Sequence, residues 1–433
     1  TGKTTTVARV VALLDEQAAA AGEPAPKIAL AAPTGKAAAR LQEGVRREAD
    51  RLDVSAATRQ RLARLSASTI HRLLGTRPDS QSRFRHDRTN RLPYDAVIID
   101  ETSMVALSLM ARVVEALRPD ARLVLLGDPD QLSSVEAGAV LGDIVGPAAD
   151  ELRMTSAARA VATRATGQAI PADAATSDVG DGIVVLRQVF RFGGGIAQLA
   201  AAIRAGDADA TLAALRAHPD AITWSEVGDE ALDPLRRAVV DAGVAVTASA
   251  RAGDGRGALD ALGTVRILCA HRRGPQSVAS WTARAEGWLA AAIDGYGTGG
   301  RWYLGRPLLV THNDYSLNLS NGDVGVVVDI GSHRVAAAFE RAGEIALVAP
   351  TRLEAVETVH AMTIHKSQGS QFDTVAVVLP DAESRLATRE LLYTAVTRAR
   401  RHVHIIGDEA AIRAALGRRL ARASGLRRRL WDQ

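Results

Sequence analysis

Residues 97–105 read VIIDETSMV, and residues 123–144 read LVLLGDPDQLSSVEAGAVLGDI. Each begins as an uninterrupted apolar run and breaks off in carboxylates or amides: Asp100 and Glu101 in the first, Gly127, Asp128 and Gln131 in the second. Apolar runs of this length with no alternation are the mark of strands covered on both faces, as in a parallel sheet. Ligands of such sheets bind outside the carboxyl ends of the strands, where these polar residues stand. The chain opens TGKTTT, and Gly2-Lys3-Thr4 is the second half of a phosphate-binding loop, GxxxxGK[ST]. A phosphate loop at one end and paired carboxylates on a neighbouring strand define a nucleoside-triphosphate site.

Working outward, further apolar runs (Ile28–Ala32, Val265–Cys269, Thr374–Leu379, Val403–Ile406) alternate with Ala-, Leu- and Arg-rich helical stretches, which favours α/β layers. At 433 residues the chain has room for two or three domains. A first domain is expected over 1–146, a connector over 147–182, where Pro147, Pro171 and a run of Ala, Thr, Asp and Gly carry no strand pattern, and a second domain over 183–433. Residues 75–95 (GTRPDSQSRFRHDRTNRLPYD) form a basic, turn-rich insertion between two strands. Residues 305–352 hold several short β runs joined by Asn-Gly and Gly-Ser turns and are expected to form a small inserted barrel. The chain starts at Thr1 in the middle of its phosphate loop, and is therefore expected to be part of a longer protein.

Composition excludes more than it assigns. Charged residues at 24% and apolar ones at 47% are ordinary for a folded domain, and a net charge of +4 does not by itself call for nucleic acid. The last 21 residues concentrate arginine (Arg413, Arg418, Arg419, Arg422, Arg427, Arg428, Arg429), as a solvated helix end or a partner-docking tail would. A single cysteine, Cys269, rules out a disulfide framework and any multi-cysteine metal site, and fits a reducing, cytoplasmic setting. No apolar run approaches the roughly 18 residues of a membrane span, so no membrane association is expected.

Chemistry assigns roles to the motif residues. Gly2, Lys3, Thr4 and Thr5 are placed to bind the nucleotide, with Lys3 neutralising the β- and γ-phosphates. The Thr4 hydroxyl and the Asp100 carboxylate are the expected Mg²⁺ ligands. Glu101 is placed to orient and deprotonate the attacking water. Gln131 could contact both the γ-phosphate and that water, while Asp128 is expected to cap the following turn. Far downstream, AMTIHKSQGSQFDTVAVVLP (361–380) and LLYTAVTRARRHVHIIG (391–407) supply Gly369, Gln371 and Arg398. Arg398, and Arg191 in LRQVFRF (186–192), suit cations that reach transition-state charge on the γ-phosphate from a second domain.

The ordered set GKT, APTGKAAARL (32–41), STIHRLLG (68–75), IIDETSM, LLGDPDQLSSVEAGAVLGDI, LRQVFRF, TIHKSQGSQFD (363–373) and YTAVTRAR (393–400) resembles superfamily 1 helicases, and within them the RecD family, the alpha chain of exodeoxyribonuclease V. The resemblance runs from residue 1 to about 407, with 147–182 and 210–262 outside it. It implies two RecA-like parallel-sheet domains with a small β-hairpin pin at 75–95 and a small SH3-like β-barrel insertion at 305–352. It implies ATP as fuel, single-stranded and forked double-stranded DNA as substrate, 5′→3′ movement in double-strand break repair, and RecB- and RecC-like subunits as partners.

Carried over residue by residue, Pro33, Thr34, Gly35, Lys36, Thr69, His71, Thr363, His365 and Ser367 fall in the DNA-contacting motifs, with hydroxyls, imidazoles and backbone amides suited to phosphate. Phe84 and His86 are expected to stack at the fork, and Arg83, Arg85, Arg88 and Arg91 to hold phosphates. Asn313, Tyr315 and Asn321 are the candidate barrel contacts. Gln371 stands where the family usually has a glutamate that contacts the ribose, so altered nucleotide affinity is expected. Three alternative readings are an RNA helicase of the same superfamily, a conjugative relaxase-type helicase module, and a nucleic-acid-binding scaffold subunit that does not hydrolyse ATP.

Overall fold

A computed structural model describes residues 2–77, 80–133, 140–171, 176–186, 193–226, 230–314, 316–341, 343–420 and 425–432. The chain divides into two compact units: Thr1–Phe190 with Ala421–Gln433, and Arg191–Leu420. The stretch expected as a connector, 147–182, counts with the first unit and carries a helix, Ser156–Thr166, whose N-cap Thr155 accepts from the Ala158 N–H and is itself held by Asp181. The last thirteen residues also leave the second unit for the first.

In the first unit, β1 (Ile28–Ala32), β2 (Ala67–Thr69), β5 (Ala96–Ile99) and β6 (Arg122–Leu125) form a parallel sheet in the order β2-β1-β5-β6, while β3 (Thr76–Arg77) and β4 (Ser80–Phe84) make an antiparallel hairpin. The strands ending in Asp100 and Gly127 are therefore neighbours, in register from Ala96↔Arg122 to Ile99↔Leu125. Both faces of the sheet are covered. Leu30 and Ile98 meet Val7, Val11, Leu41 and Val45 of the helices Lys3–Ala20 and Gly35–Ala49 on one side. Ala29, Ala31, Val97 and Ile99 meet Ile70, Met110 and Val113 on the other. This double burial is why the strands read as continuous apolar runs.

The second unit holds a parallel sheet built from β7 (Ile222–Ser225), β8 (Val265–Cys269), β14 (Ala361–Thr363), β15 (Phe372–Val378) and β16 (Ala399–Ile406) in the order β14-β8-β15-β16-β7. Between β8 and β14 the chain makes a five-stranded antiparallel sheet of β9 (Pro307–Val310), β10 (Val324–Asp329), β11 (Val335–Arg341), β12 (Glu344–Val348) and β13 (Val356–Thr358), in the order β12-β11-β10-β9-β13. The insertion thus reaches Thr358, past the expected end at 352, because Val356–Thr358 pairs with β9. Its strands alternate between two cores: Val327, Ala337 and Phe339 on one face, Val326, Val328 and Ala338 on the other. Among the described residues, no helix is long and apolar enough to cross a membrane.

Candidate nucleotide site and nucleic-acid face

Strand β5 ends where the Asp100 N–H makes its last ladder bond, to the Ala31 carbonyl at 2.9 Å. The next residue, Glu101, sits at φ 52°, ψ 40°, in the left-handed region. A non-glycine residue held there costs about 1–3 kcal/mol, and such strain concentrates at functional sites. Three bonds hold the bend. The Glu101 N–H donates to Asp100 Oδ1 at 2.8 Å, the Thr102 hydroxyl donates to the Ile99 carbonyl at 3.1 Å, and the Thr102 N–H donates to the Leu126 carbonyl at 2.8 Å. Gly127 closes the other side. A Cβ there would lie 2.3 Å from Leu141 Cδ2 and 3.2 Å from the Ser103 nitrogen, so the two strand ends approach as closely as they do only with glycine.

Lys3, at the start of the first helix, places Nζ 3.7 Å from Asp100 Oδ1 and 3.6 Å from Glu101 Oε1. One cation thus faces two adjacent carboxylates, all three largely buried. Burial pushes Asp100 above the ordinary carboxylate range and the Glu101 charge adds to this, while Lys3 pulls it back. The Asp100 carboxylate is an oxygen donor of the kind that suits a hard divalent cation, while the Thr4 side chain packs on Gly44, where a Cβ would lie 2.3 Å from its Cγ2. Among the described residues no three His, Cys, Asp or Glu side chains converge as a metal cage.

Beyond β6, Asp128 acts as the expected cap: its Oδ1 accepts from the Asp130 N–H at 3.2 Å. Its Oδ2 accepts from Gln131 Nε2 at 2.9 Å and orients that amide. Gln131 is buried, so its position is set by packing.

On the same unit, Pro33 and Thr34 follow β1, and Gly35 and Lys36 open the next helix. Thr34 and Thr69 both serve as N-caps, accepting from the Ala37 and Arg72 N–H groups at 3.2 Å. His71 is exposed, its ring 5.9 Å from that of Phe84. Phe84 itself corrects the sequence reading. It is 9% exposed and packs in the core with Ile70, Leu73, Leu74 and Met110, so it does not present a stacking face. Arg88 and Arg91 are likewise engaged in the fold: Arg88 pairs with Glu115, and Arg91 donates to the Glu115 and Leu117 carbonyls. Arg83 and Arg85 are exposed, and the half-buried His86 lies 3.2 Å from the Asn90 carbonyl. Phe84→Ala is expected to destabilise the chain by ~3–5 kcal/mol, the usual effect of emptying a core aromatic site, as a fall in the urea midpoint.

In the second unit the carboxyl end of β14 carries Thr363, whose Oγ1 accepts from the Lys366 N–H at 3.3 Å, then a 3₁₀ turn, His365–Ser367. Ser367 is fully buried and donates to the Ile364 carbonyl at 2.7 Å, so its hydroxyl braces the turn and is not offered to DNA. Gly369 takes a left-handed turn (φ 70°), and Gln371 Oε1 accepts from Arg400 Nε at 3.5 Å. Arg398 follows the helix Arg389–Val396; it is 2% exposed, and its Nε donates to the Thr394 carbonyl at 3.0 Å. Asn313 Oδ1 accepts from the Asn321 N–H at 2.8 Å, bracing its own loop. Arg191 and Tyr315 lie outside the described residues.

Arg272 and Arg273 were not singled out from sequence. Both are exposed just past the carboxyl end of β8, whose Cys269 pairs with Thr363, in a loop closed by the Ser277 capping box. The signal was there: an apolar run (265–269) that ends in cations, as 97–101 ends in carboxylates.

Residues 1–137 match the family model described as an AAA domain, and residues 358–406 match that of the UvrD-like helicase C-terminal domain. The RecBCD enzyme subunit RecD of Mycolicibacterium smegmatis is 52% identical over 430 residues, 99% of this chain and 71% of the relative. That of Haemophilus influenzae is 32% identical over 463 residues, 100% of this chain and 69% of the relative. The ATP-dependent RecD2 DNA helicase of Deinococcus radiodurans is 30% identical over 435 residues, 99% of this chain and 49% of the relative.

Proposed function

From the premise that this chain belongs to the RecD family and is an ATP-driven DNA helicase subunit of the RecBCD type, acting in DNA repair, we propose how its residues drive it and in which direction. It moves 5′→3′ along single-stranded DNA into forked duplex during double-strand break repair, docked to RecB- and RecC-like subunits in the cytoplasm. The two units act as RecA-like motor domains. The hairpin β3–β4 with the basic segment up to residue 95 acts as the strand-splitting pin, now through Arg83, Arg85 and His86. The antiparallel insertion acts as an SH3-like barrel that clamps the strand.

The observation that carries this reading is the cluster of Lys3, Asp100 and Glu101, with Glu101 held in a strained backbone conformation that aims its carboxylate beside the lysine. Gly2 and Thr5 lend backbone amides to phosphate, and Lys3 exchanges its carboxylate partners for the β- and γ-phosphates. Thr4 and Asp100 would hold Mg²⁺, which when bound neutralises phosphate charge. Glu101 takes the proton of the attacking water, and Gln131, aimed by Asp128, senses the γ-phosphate. Arg398 and Arg191 supply cations to the γ-phosphate, and Gly369 and Gln371 attend the nucleoside. Pro33, Thr34, Gly35, Lys36, Thr69, His71, Thr363 and His365 track the DNA backbone, where contacts carry no sequence information.

The test is strand displacement by the assembled complex on duplexes tailed at one end. Unwinding from the 5′ tail, with ATP turnover stimulated by DNA and not by RNA of the same sequence, is expected. Unwinding only from the 3′ tail, equal stimulation by RNA, or no turnover overturns the reading.

A further inference from the structure

The arginine-rich end of the chain is not absorbed by the motor motifs. Its last described helix, Leu426–Trp431, packs on the helix Val140–Val145 of the first unit, with Leu426 against the core that contains Val140, Val105 and Met110. The Trp431 indole N–H lies 3.3 Å from the Asp143 carbonyl and 3.2 Å from the Ile144 carbonyl, in position to donate to both. These carbonyls belong to a helix end, where intrahelical partners run out. Gly146 makes room: at φ 48°, a Cβ there would lie 2.2 Å from Trp431 Nε1. The helix so gripped is the one whose Leu141 presses on Gly127, beside the Thr102 and Ser103 nitrogens of the Glu101 bend.

We propose that the C-terminal helix braces the helix behind the Gly127–Gln131 loop, and that Trp431 is its clasp, a positioning residue for ATP turnover. While the clasp holds, the helix that shapes the Glu101 bend is kept in place through Leu141 and Gly127. The proposal rests on the motor reading above.

It is tested with Trp431→Ala, Trp431→Phe and Gly146→Ala in the full-length chain within its complex. The DNA-stimulated kcat, the KM for ATP, single-strand affinity and the urea midpoint are read for each. Trp431→Ala is expected to lower the DNA-stimulated kcat at least about 5-fold, the low end of measured coupling between sites, with the KM for ATP within about twofold. Trp431→Phe, which keeps a ring but loses the N–H, is expected to fall between. Gly146→Ala is expected to impair turnover in the parent chain and to add less in the Trp431→Ala background, because both act on one contact. An unchanged kcat overturns the clasp. So does a loss confined to salt-dependent DNA affinity, which would make the helix a nucleic-acid contact. A loss in which kcat and the urea midpoint fall together and Trp431→Phe behaves as the parent chain would make it packing alone. If the unaltered chain shows no turnover at all, the motor reading fails instead.

Discussion

Arg398→Ala is expected to slow ATP hydrolysis by about 10³-fold or more, the scale on which a cation supplied to a transferring γ-phosphoryl group acts. The side chain sits at the end of the helix Arg389–Val396 and is nearly fully buried, with Nε donating to the Thr394 carbonyl. Two roles compete in such a residue: a cation at a helix C-terminus stabilises the fold, and a guanidinium near phosphate stabilises the transition state. They separate in measurement. A transition-state role leaves single-strand affinity and the urea midpoint nearly intact while kcat collapses. A folding role lowers all three together. Arg398→Lys sharpens the distinction, since it keeps the charge but loses the planar fork that engages two phosphate oxygens. It should recover stability without recovering most of the rate. Full activity in Arg398→Lys, or a parallel loss of DNA binding in Arg398→Ala, would remove Arg398 from the chemistry.

Glu101→Gln is expected to bind ATP normally and turn over at least about 100-fold more slowly, because positioned general bases contribute about 10²–10⁴-fold. The substitution keeps the shape of the side chain and removes its capacity to take a proton. It also removes one of the two charges facing Lys3, so nucleotide affinity is expected to hold or rise. The strain at φ 52° offers an independent check. Glu101→Gly relieves a left-handed conformation and should melt no lower than the parent chain, while being as slow as Glu101→Gln. A residue whose removal leaves stability intact and abolishes turnover is there for chemistry. Near-normal turnover in Glu101→Gln would end that assignment.

The parallel sheets and the pairing of the Asp100 and Gly127 strands are legible in the sequence, because double-sided burial writes itself into local composition. So is the cluster of Lys3 with Asp100 and Glu101, since strand ends in such a sheet converge on one edge. The basic insertion was read less well. Phe84 is expected to stack because the resemblance puts 75–95 in the pin, yet Ile70, Leu73 and Met110 draw it inward. Arg88 and Arg91 looked like phosphate contacts, yet Glu115 and the carbonyls of residues 115 and 117 bind them. The partners of all three include residues some 25 positions away, and no local pattern announces them.

Sequence by itself determined the layers, the order of the motifs and the chemistry of the nucleotide loop, since each depends on residues close together in the chain. Tertiary structure alone decided that Ser367 braces its own turn, that Glu101 is strained, and that the chain's last helix returns to the first unit to put Trp431 on Gly146. Those outcomes are choices between exposure and burial, made by whichever distant surface fits. Periodicity shows that a residue can be buried; only the packed neighbour shows that it is.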